Sequence, residues 1–317
     1  MEFLLPILGL IIGFALLIKG ADFFVDGASS VAAKLKVPSL IIGLTVVSMG
    51  TSLPEAAVSI SASLQGSNGI SLGNVIGSNI FNLLMVVGVS SVILPIVTDR
   101  DILRRDMPFN VGITAILLGM LWMDGELGRL DAAILLVLMA AYLFILIKSA
   151  LKNRGENEEA KVLTWFKSIL FILLGAAAII GGGQLVVNCA KSIAASLGMS
   201  DTLIGLTVVA LGTSLPELVT SIVAARKGDS GIAMGNVVGS CIFNILFILG
   251  MAGVISPMTA DSKFFIDTGI LIGVCLVMML FAFTKRKTGR IEGAACVLMY
   301  VAYTAYIIMR EYHIWIF

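Results

Sequence analysis

The feature that most restricts this chain is a string of six residues that occurs twice. Gly50-Thr51-Ser52-Leu53-Pro54-Glu55 returns as Gly212-Thr213-Ser214-Leu215-Pro216-Glu217, 162 residues later. At the same offset Gly43-Leu44-Thr45-Val46-Val47 matches Gly205-Leu206-Thr207-Val208-Val209. Gly73-Asn74-Val75 and Gly77-Ser78 match Gly235-Asn236-Val237 and Gly239-Ser240. Ile80-Phe81-Asn82 matches Ile242-Phe243-Asn244, and Pro95 falls on Pro257. No gap is needed across more than fifty residues. Apolar segments resemble one another by chance, but chance does not keep Pro, Glu, Asn and Thr in register, so the chain is one unit written twice.

The unit belongs in a lipid bilayer. Of 317 residues, 58% are hydrophobic and only 13% charged, against about a quarter charged in soluble domains, and the mean hydropathy is +1.05. The 62 residues between Lys36 and Asp99 carry a single charged side chain, Glu55. A spanning helix takes about 20 apolar residues, so two spans lie there with one carboxylate between them. Such a group costs about 2.5 kcal/mol or more at the bilayer centre and is a functional candidate by default.

Hydropathy predicts ten spans, at about 2–19, 38–64, 70–95, 108–123, 131–150, 163–183, 201–225, 231–256, 265–284 and 291–309. The expected fold is an all-α integral membrane protein of two five-helix repeats. Residues 1–151 form the first and 163–317 the second, joined by a short polar linker over 152–162. Five is odd, so the second repeat enters the membrane from the opposite face and is inverted. The apolar stretch at the start of the chain lacks a basic region before it and a cleavage site after it, and reads as a retained helix. Assigned to faces, 17 of the 21 basic residues, among them Lys19, Lys34, Lys36, Arg226 and Lys227, lie on the linker side. Only Arg129, Lys191, Lys263 and Arg310 lie opposite. Basic residues favour the cytoplasm, which places the linker inside and both termini outside a cell membrane.

The other residues narrow the chemistry. A net charge of +1 suggests no nucleic-acid partner. Cys189, Cys241, Cys275 and Cys296 are scattered through apolar segments without zinc-ligand spacing and read as small buried side chains. His313 is the only histidine, leaving proton relays and histidine catalysis little to work with. No enzyme activity and no cofactor is expected.

The repeated string carries the chemistry. A proline inside a helix removes a backbone donor and clashes with the carbonyl four residues earlier, here that of Gly50 or Gly212. The second and seventh spans are therefore predicted to break near mid-membrane, freeing carbonyls around Thr51 and Thr213. Irregular backbone survives at that depth only where it is buried in protein or lines a polar cavity. Carbonyls, hydroxyls and a carboxylate are hard oxygen ligands suited to Ca²⁺ or Na⁺. Asn74, Ser78 and Asn82 recur every four residues and form a polar stripe on the next span, which Asn236, Ser240 and Asn244 repeat. Duplicated broken helices meeting at the midplane are a transporter design. Glu55 and Glu217 together carry two negative charges, balanced by one Ca²⁺ or two Na⁺. A pocket satisfied by either ion exchanges them, and a third Na⁺ would make exchange electrogenic.

These residues are similar to the paired alpha repeats of the calcium/cation antiporter superfamily, most closely its sodium/calcium exchanger branch. Here the repeats cover about 38–95 and 200–257. The resemblance implies Ca²⁺ coordination by Glu55 and Glu217, helped by main-chain oxygens of Thr51 and Thr213. It implies flanking Na⁺ sites using Ser78, Ser240, Thr51 and Thr213, with Asn82 and Asn244 at the centre. It also implies alternating access, with the first and sixth spans moving against the other eight. Asn244 stands where potassium-dependent relatives carry Asp, which speaks against potassium co-transport. Ala56 and Leu218 follow the two glutamates where proton-coupled relatives usually have His, which favours sodium over protons.

Other readings compete with this one. One makes the glutamates hydrogen-bonded structural carboxylates only, and the Asn/Ser stripes helix-packing contacts. For Ser52 and Ser214 the competing partner is their own helix backbone. Ser48 aligns with Ala210, so any shared role there uses backbone oxygen. Asp22 and Asp26 align with Gln184 and Asn188, near expected helix ends where solvation explains them. The function expected is Na⁺/Ca²⁺ antiport with Ca²⁺, Na⁺ and the bilayer as partners and one chain sufficient. The alternative is H⁺/Ca²⁺ (or other divalent cation) antiport. A channel does not need the inverted repeat, and an intramembrane hydrolase lacks an Asp–Asp dyad.

Overall fold

The computed structural model of the chain describes residues 4–152, 163–197 and 210–311. The linker expected over 152–162 lies, beyond Lys152, outside the described residues, and so does the start of the seventh span. The helices are α1 (Leu4–Leu35), α2 (Ser39–Thr51), α3 (Leu53–Leu64), α4 (Gly69–Ile93), α5 (Ile102–Asp124), α6 (Arg129–Lys152), α7 (Trp165–Ser196), α8 (Ala210–Thr213), α9 (Leu215–Arg226), α10 (Ser230–Ile255), α11 (Ser262–Thr284) and α12 (Arg290–Arg310). Eight of them are long and apolar enough to cross a membrane. The pair α2–α3, bent by 50°, makes a ninth span, and α8–α9 repeats that break at the offset of 162. This is the ten-helix inverted-repeat plan.

The break falls two residues before each proline. Ser52 (φ −84°, ψ 9°) and Ser214 (φ −95°, ψ 7°) leave helical geometry, and α3 and α9 restart with Pro54 and Pro216 in their first turns. A first-turn amide has no intrahelical partner to lose, so proline is tolerated there.

Two expectations need correction. The first and sixth spans were expected to end at 19 and 183, but α1 and α7 each run for 32 residues. That is ~48 Å at 1.5 Å per residue, well beyond a hydrocarbon core of about 30 Å. Lys19, Asp22 and Asp26 therefore lie within α1, as Gln184 and Asn188 lie within α7, and not at helix ends. The acidic groups of α1 have a partner far along the chain: Lys227 Nζ lies 2.6 Å from Asp26 Oδ1 and 3.5 Å from Asp22 Oδ1. Ser29 donates to Asp229 beside them.

α4 and α10 form the inner layer. Their apolar cores are 72% and 78% buried, against 17–28% for α1, α6, α7 and α12, whose exposed leucines and isoleucines suit a lipid solvent. α1 and α7 cross through glycines. A Cβ on Gly182 would sit 2.8 Å from the carbonyl oxygen of Gly13, and one on Gly175 would sit 2.7 Å from that of Gly20. The two crossings are images of each other at the offset of 162. Short antiparallel ribbons tie the halves together on each face. Ile96–Val97 pairs with Lys287–Thr288, and Glu126–Leu127 pairs with Met258–Thr259. Each ribbon joins loops that the ten-span count places on one side.

Candidate functional site

The two broken spans meet at their breaks. Ser214 Oγ donates to Glu55 Oε1 at 2.9 Å, and Ser52 Oγ donates to Glu217 Oε1 at 2.8 Å. Each carboxylate is thus clasped by the serine that precedes the other copy's proline, and the two contacts are symmetry images. Both serines and both glutamates are fully buried, and the carboxylates lie within electrostatic reach of one another. The local sequence explains the geometry. Non-helical Ser52 and Ser214 face their side chains across the gap, while Pro54 and Pro216 start the next helix and set each glutamate in its first turn.

The polar stripes brace this centre. Asn74 Nδ2 donates to the main-chain oxygen of Glu55 (3.2 Å) and to Ser59 Oγ (2.9 Å). Asn236 Nδ2 does the same to Glu217 (3.3 Å) and Ser221 Oγ (2.9 Å). Thr51 Oγ1 donates to Asn236 Oδ1 at 2.9 Å. Ser78 Oγ lies 3.2 Å from Ser214 Oγ. Ser240 Oγ reaches the main-chain oxygen of Ser48 at 3.5 Å. Ala210 opens α8, and its backbone lies one turn before Ser214.

Among the described residues, several buried oxygens in the same region have no hydrogen-bond partner: Glu55 Oε2, Glu217 Oε2, Asn82 Oδ1, Asn244 Oδ1, Thr213 Oγ1 and Thr220 Oγ1. Each such atom normally costs about 1–3 kcal/mol, more if charged. A cluster of unpaired acceptors around two carboxylates is the arrangement that a dehydrated cation relieves. Asn82 and Asn244 each begin a π-helical turn, Asn82–Val86 and Asn244–Leu249, a backbone irregularity common at functional sites. Among the described residues no group of three or more His, Cys, Asp or Glu gathers to hold a metal. The donor set is two carboxylates with amides, hydroxyls and carbonyls, which suits Na⁺ and Ca²⁺ better than zinc.

A cavity of about 560 Å³ leads to the centre from one face. Its mouth is lined by Lys263, Asp267 and Arg310, and its floor by Asn74, Ser78 and Thr213. At the mouth Arg310 holds Asp267 through two 2.9 Å hydrogen bonds.

The structure therefore brings together Glu55, Glu217, Ser52, Ser214, Thr51, Ser78, Asn74 and Asn236 through direct hydrogen bonds. Among the described residues, both polar atoms of Asn82, the Oδ1 of Asn244 and the Oγ1 of Thr213 are buried without a hydrogen bond, while Asn244 Nδ2 donates to Asn79. Sequence reasoning missed Ser59 and Ser221, although both are serines at the repeat offset. It also missed Asn79, which is fully buried against Cys241 and Asn244. Asn79 sits at the one mismatch inside Gly-Ser-x-Ile-Phe-Asn.

Comparison with known proteins agrees with this architecture. The model of the sodium/calcium exchanger protein family matches residues 5–148 and again 167–309, once for each repeat. The chain is 36% identical to the sodium/calcium exchanger MaX1 of Methanosarcina acetivorans, covering 93% of this chain and 96% of that protein. It is 35% identical to the inner membrane protein YrbG of Escherichia coli, over 90% and 91%. Among solved structures, the sodium-calcium exchanger NCX_Mj soaked with Na⁺ and Ca²⁺ superposes with a TM-score of 0.84 at 32% identity, covering 95% of this chain and 98% of that one. The chain is a multi-pass membrane transporter and belongs to the sodium/calcium exchanger family.

Proposed function

We propose that this protein exchanges Na⁺ for Ca²⁺ across a cell membrane by alternating access, with Glu55 and Glu217 as the shared charged ligands. The observation that carries the reading is the reciprocal clasp, Ser52 to Glu217 and Ser214 to Glu55, which holds one oxygen of each carboxylate and leaves the other buried and unpaired. Two buried negative charges without a basic partner are costly until a cation enters. One Ca²⁺ or two Na⁺ neutralises them, so the ions compete, and a third Na⁺ makes the cycle electrogenic. Thr51, Thr213, Ser78 and Ser240 supply the flanking oxygens for Na⁺, and Asn82 and Asn244 supply neutral ligands at the centre. The absence of histidine beside either glutamate supports sodium rather than proton coupling.

The mouth of the cavity carries Lys263 and Arg310, the sparsely basic face, so the charge bias makes it the extracellular side. The linker is then cytoplasmic and both termini outside. Residues 1–151 and 163–317 are the two repeats, and a single chain holds a whole site. The test is ⁴⁵Ca²⁺ uptake into proteoliposomes under an outward Na⁺ gradient. Uptake that rises with the gradient and with a favourable voltage supports the reading. Uptake that ignores sodium and follows an imposed pH gradient in sodium-free buffer would replace it with proton coupling.

A further inference from the structure

The hexapeptides Gly77-Ser78-Asn79-Ile80-Phe81-Asn82 and Gly239-Ser240-Cys241-Ile242-Phe243-Asn244 differ at one position. The structure places the two differing residues against each other. Asn79 Nδ2 donates to the main-chain oxygen of Cys241 at 3.0 Å, and Cys241 Sγ lies 3.8 Å from that of Asn79. Residues related by the internal repeat touch only where its two-fold axis passes, so this contact lies on the axis, one turn from both central asparagines.

A chain of polarity follows. A carboxamide has donors at one end and an acceptor at the other, and its orientation is settled by its partners. The carbonyl of Cys241 can only accept, so Asn79 must turn its NH₂ toward it. Asn79 Oδ1 then points the other way and accepts from Asn244 Nδ2 at 3.0 Å. With its NH₂ thus committed, Asn244 is left with Oδ1 as a buried, unpaired acceptor, in a π-helical turn packed against α3, the helix of Glu55. The first repeat has no such device. Asn82 would need a carboxamide at position 241, where the chain has a thiol, and both polar atoms of Asn82 are unpaired.

We infer that Asn79 is a positioning residue that locks the Asn244 amide with its oxygen available to the ion, making one of the two central amides a fixed oxygen ligand and leaving the other free to turn. The inference rests on the exchange reading above. If Asn244 flips, it presents the positive end of its amide to a cation and removes a ligand. An aspartate at 244 has oxygen at both ends and needs no such lock.

The experiment is a double-mutant cycle on Na⁺-driven ⁴⁵Ca²⁺ uptake, paired with calorimetric Ca²⁺ titration of the purified protein. Asn79→Cys and Asn79→Ser are each placed in the wild-type and in the Asn244→Asp background. Asn79→Cys introduces the side chain that the other repeat carries at this register. In the wild-type background each substitution should raise the Ca²⁺ KM and Kd about 3–10-fold, the loss of one hydrogen bond, with the maximal rate within about twofold. In the Asn244→Asp background the same substitutions should shift KM and Kd by less than about 1.5-fold. Unchanged values in the wild-type background, or an equal shift in both backgrounds, would overturn the inference. Loss of a folded, monodisperse protein in both variants would mark Asn79 as structural and overturn it too. A wild-type protein that neither takes up Ca²⁺ with sodium nor binds it would instead defeat the exchange reading.

Discussion

α4 and α10 are copies of one helix in different surroundings. A Cβ on Gly235 of α10 would sit 2.8 Å from the carbonyl oxygen of Leu40 and 2.9 Å from the amide of Leu44, so α10 lies directly on α2. At Gly73, its image on α4, the nearest described atom is a ring carbon of Phe264 at 3.8 Å, and the glycine is exposed. Asn236 is fully buried and accepts from Thr51. Asn74 is half-buried, and it and Thr213 line the cavity. One sequence pattern thus serves as a sealed wall on one side and as the floor of an open cavity on the other.

The largest expected effect ignores this asymmetry. Glu55→Gln and Glu217→Gln should each lower Ca²⁺ uptake by more than about 100-fold, since removing one member of a buried charge set costs about 3–5 kcal/mol. A variant that kept more than a tenth of the flux would remove its glutamate from the site.

The next effect divides the two helices. Gly235→Ala should destabilise the purified protein by about 1–3 kcal/mol, because the backbone it meets cannot yield. Gly73→Ala should leave the melting temperature unchanged. Equal losses would mean that the two surroundings interconvert freely in detergent.

Thiol labelling sharpens the contrast further. In a cysteine-free background, Asn74→Cys should react with an impermeant reagent from the Arg310 face about tenfold or more faster than Asn236→Cys, a gap set by local opening. With Asn236 kept, Thr51→Val removes the bond to Asn236, worth about 1 kcal/mol, and should lower the stability of the purified protein by about that much. Thr213→Val should not change labelling at 74.

The smallest effect belongs to the exposed ion pairs that tie α1 to the loop after α9. Lys227→Ala should cost at most about 1 kcal/mol and lose its effect at high ionic strength, read as a melting temperature in low and high salt.

The repeat made the ten-span plan and the central carboxylates legible, because a duplicated Pro-Glu in apolar sequence has few structural uses. The true length of α1 was hidden by Lys19, Asp22 and Asp26, which look like a helix end until Lys227, some two hundred residues away, is seen beside them. The reciprocal serine clasp was also out of reach. Local spacing shows that Ser52 precedes Glu55, but not that it bonds Glu217, which depends on how the two breaks cross. Asn79 was hidden because a search for repeats rewards agreement, and its importance lies in a disagreement.

That disagreement has a wider consequence. A polypeptide whose halves were identical and inverted would have the same free energy whichever way it faced, and no rest position of its own. Only positions where the duplicate texts diverge, such as Asn79 opposite Cys241 or Lys227 opposite Gln65, can tilt that balance, so any preferred resting orientation of the carrier is encoded in its spelling errors.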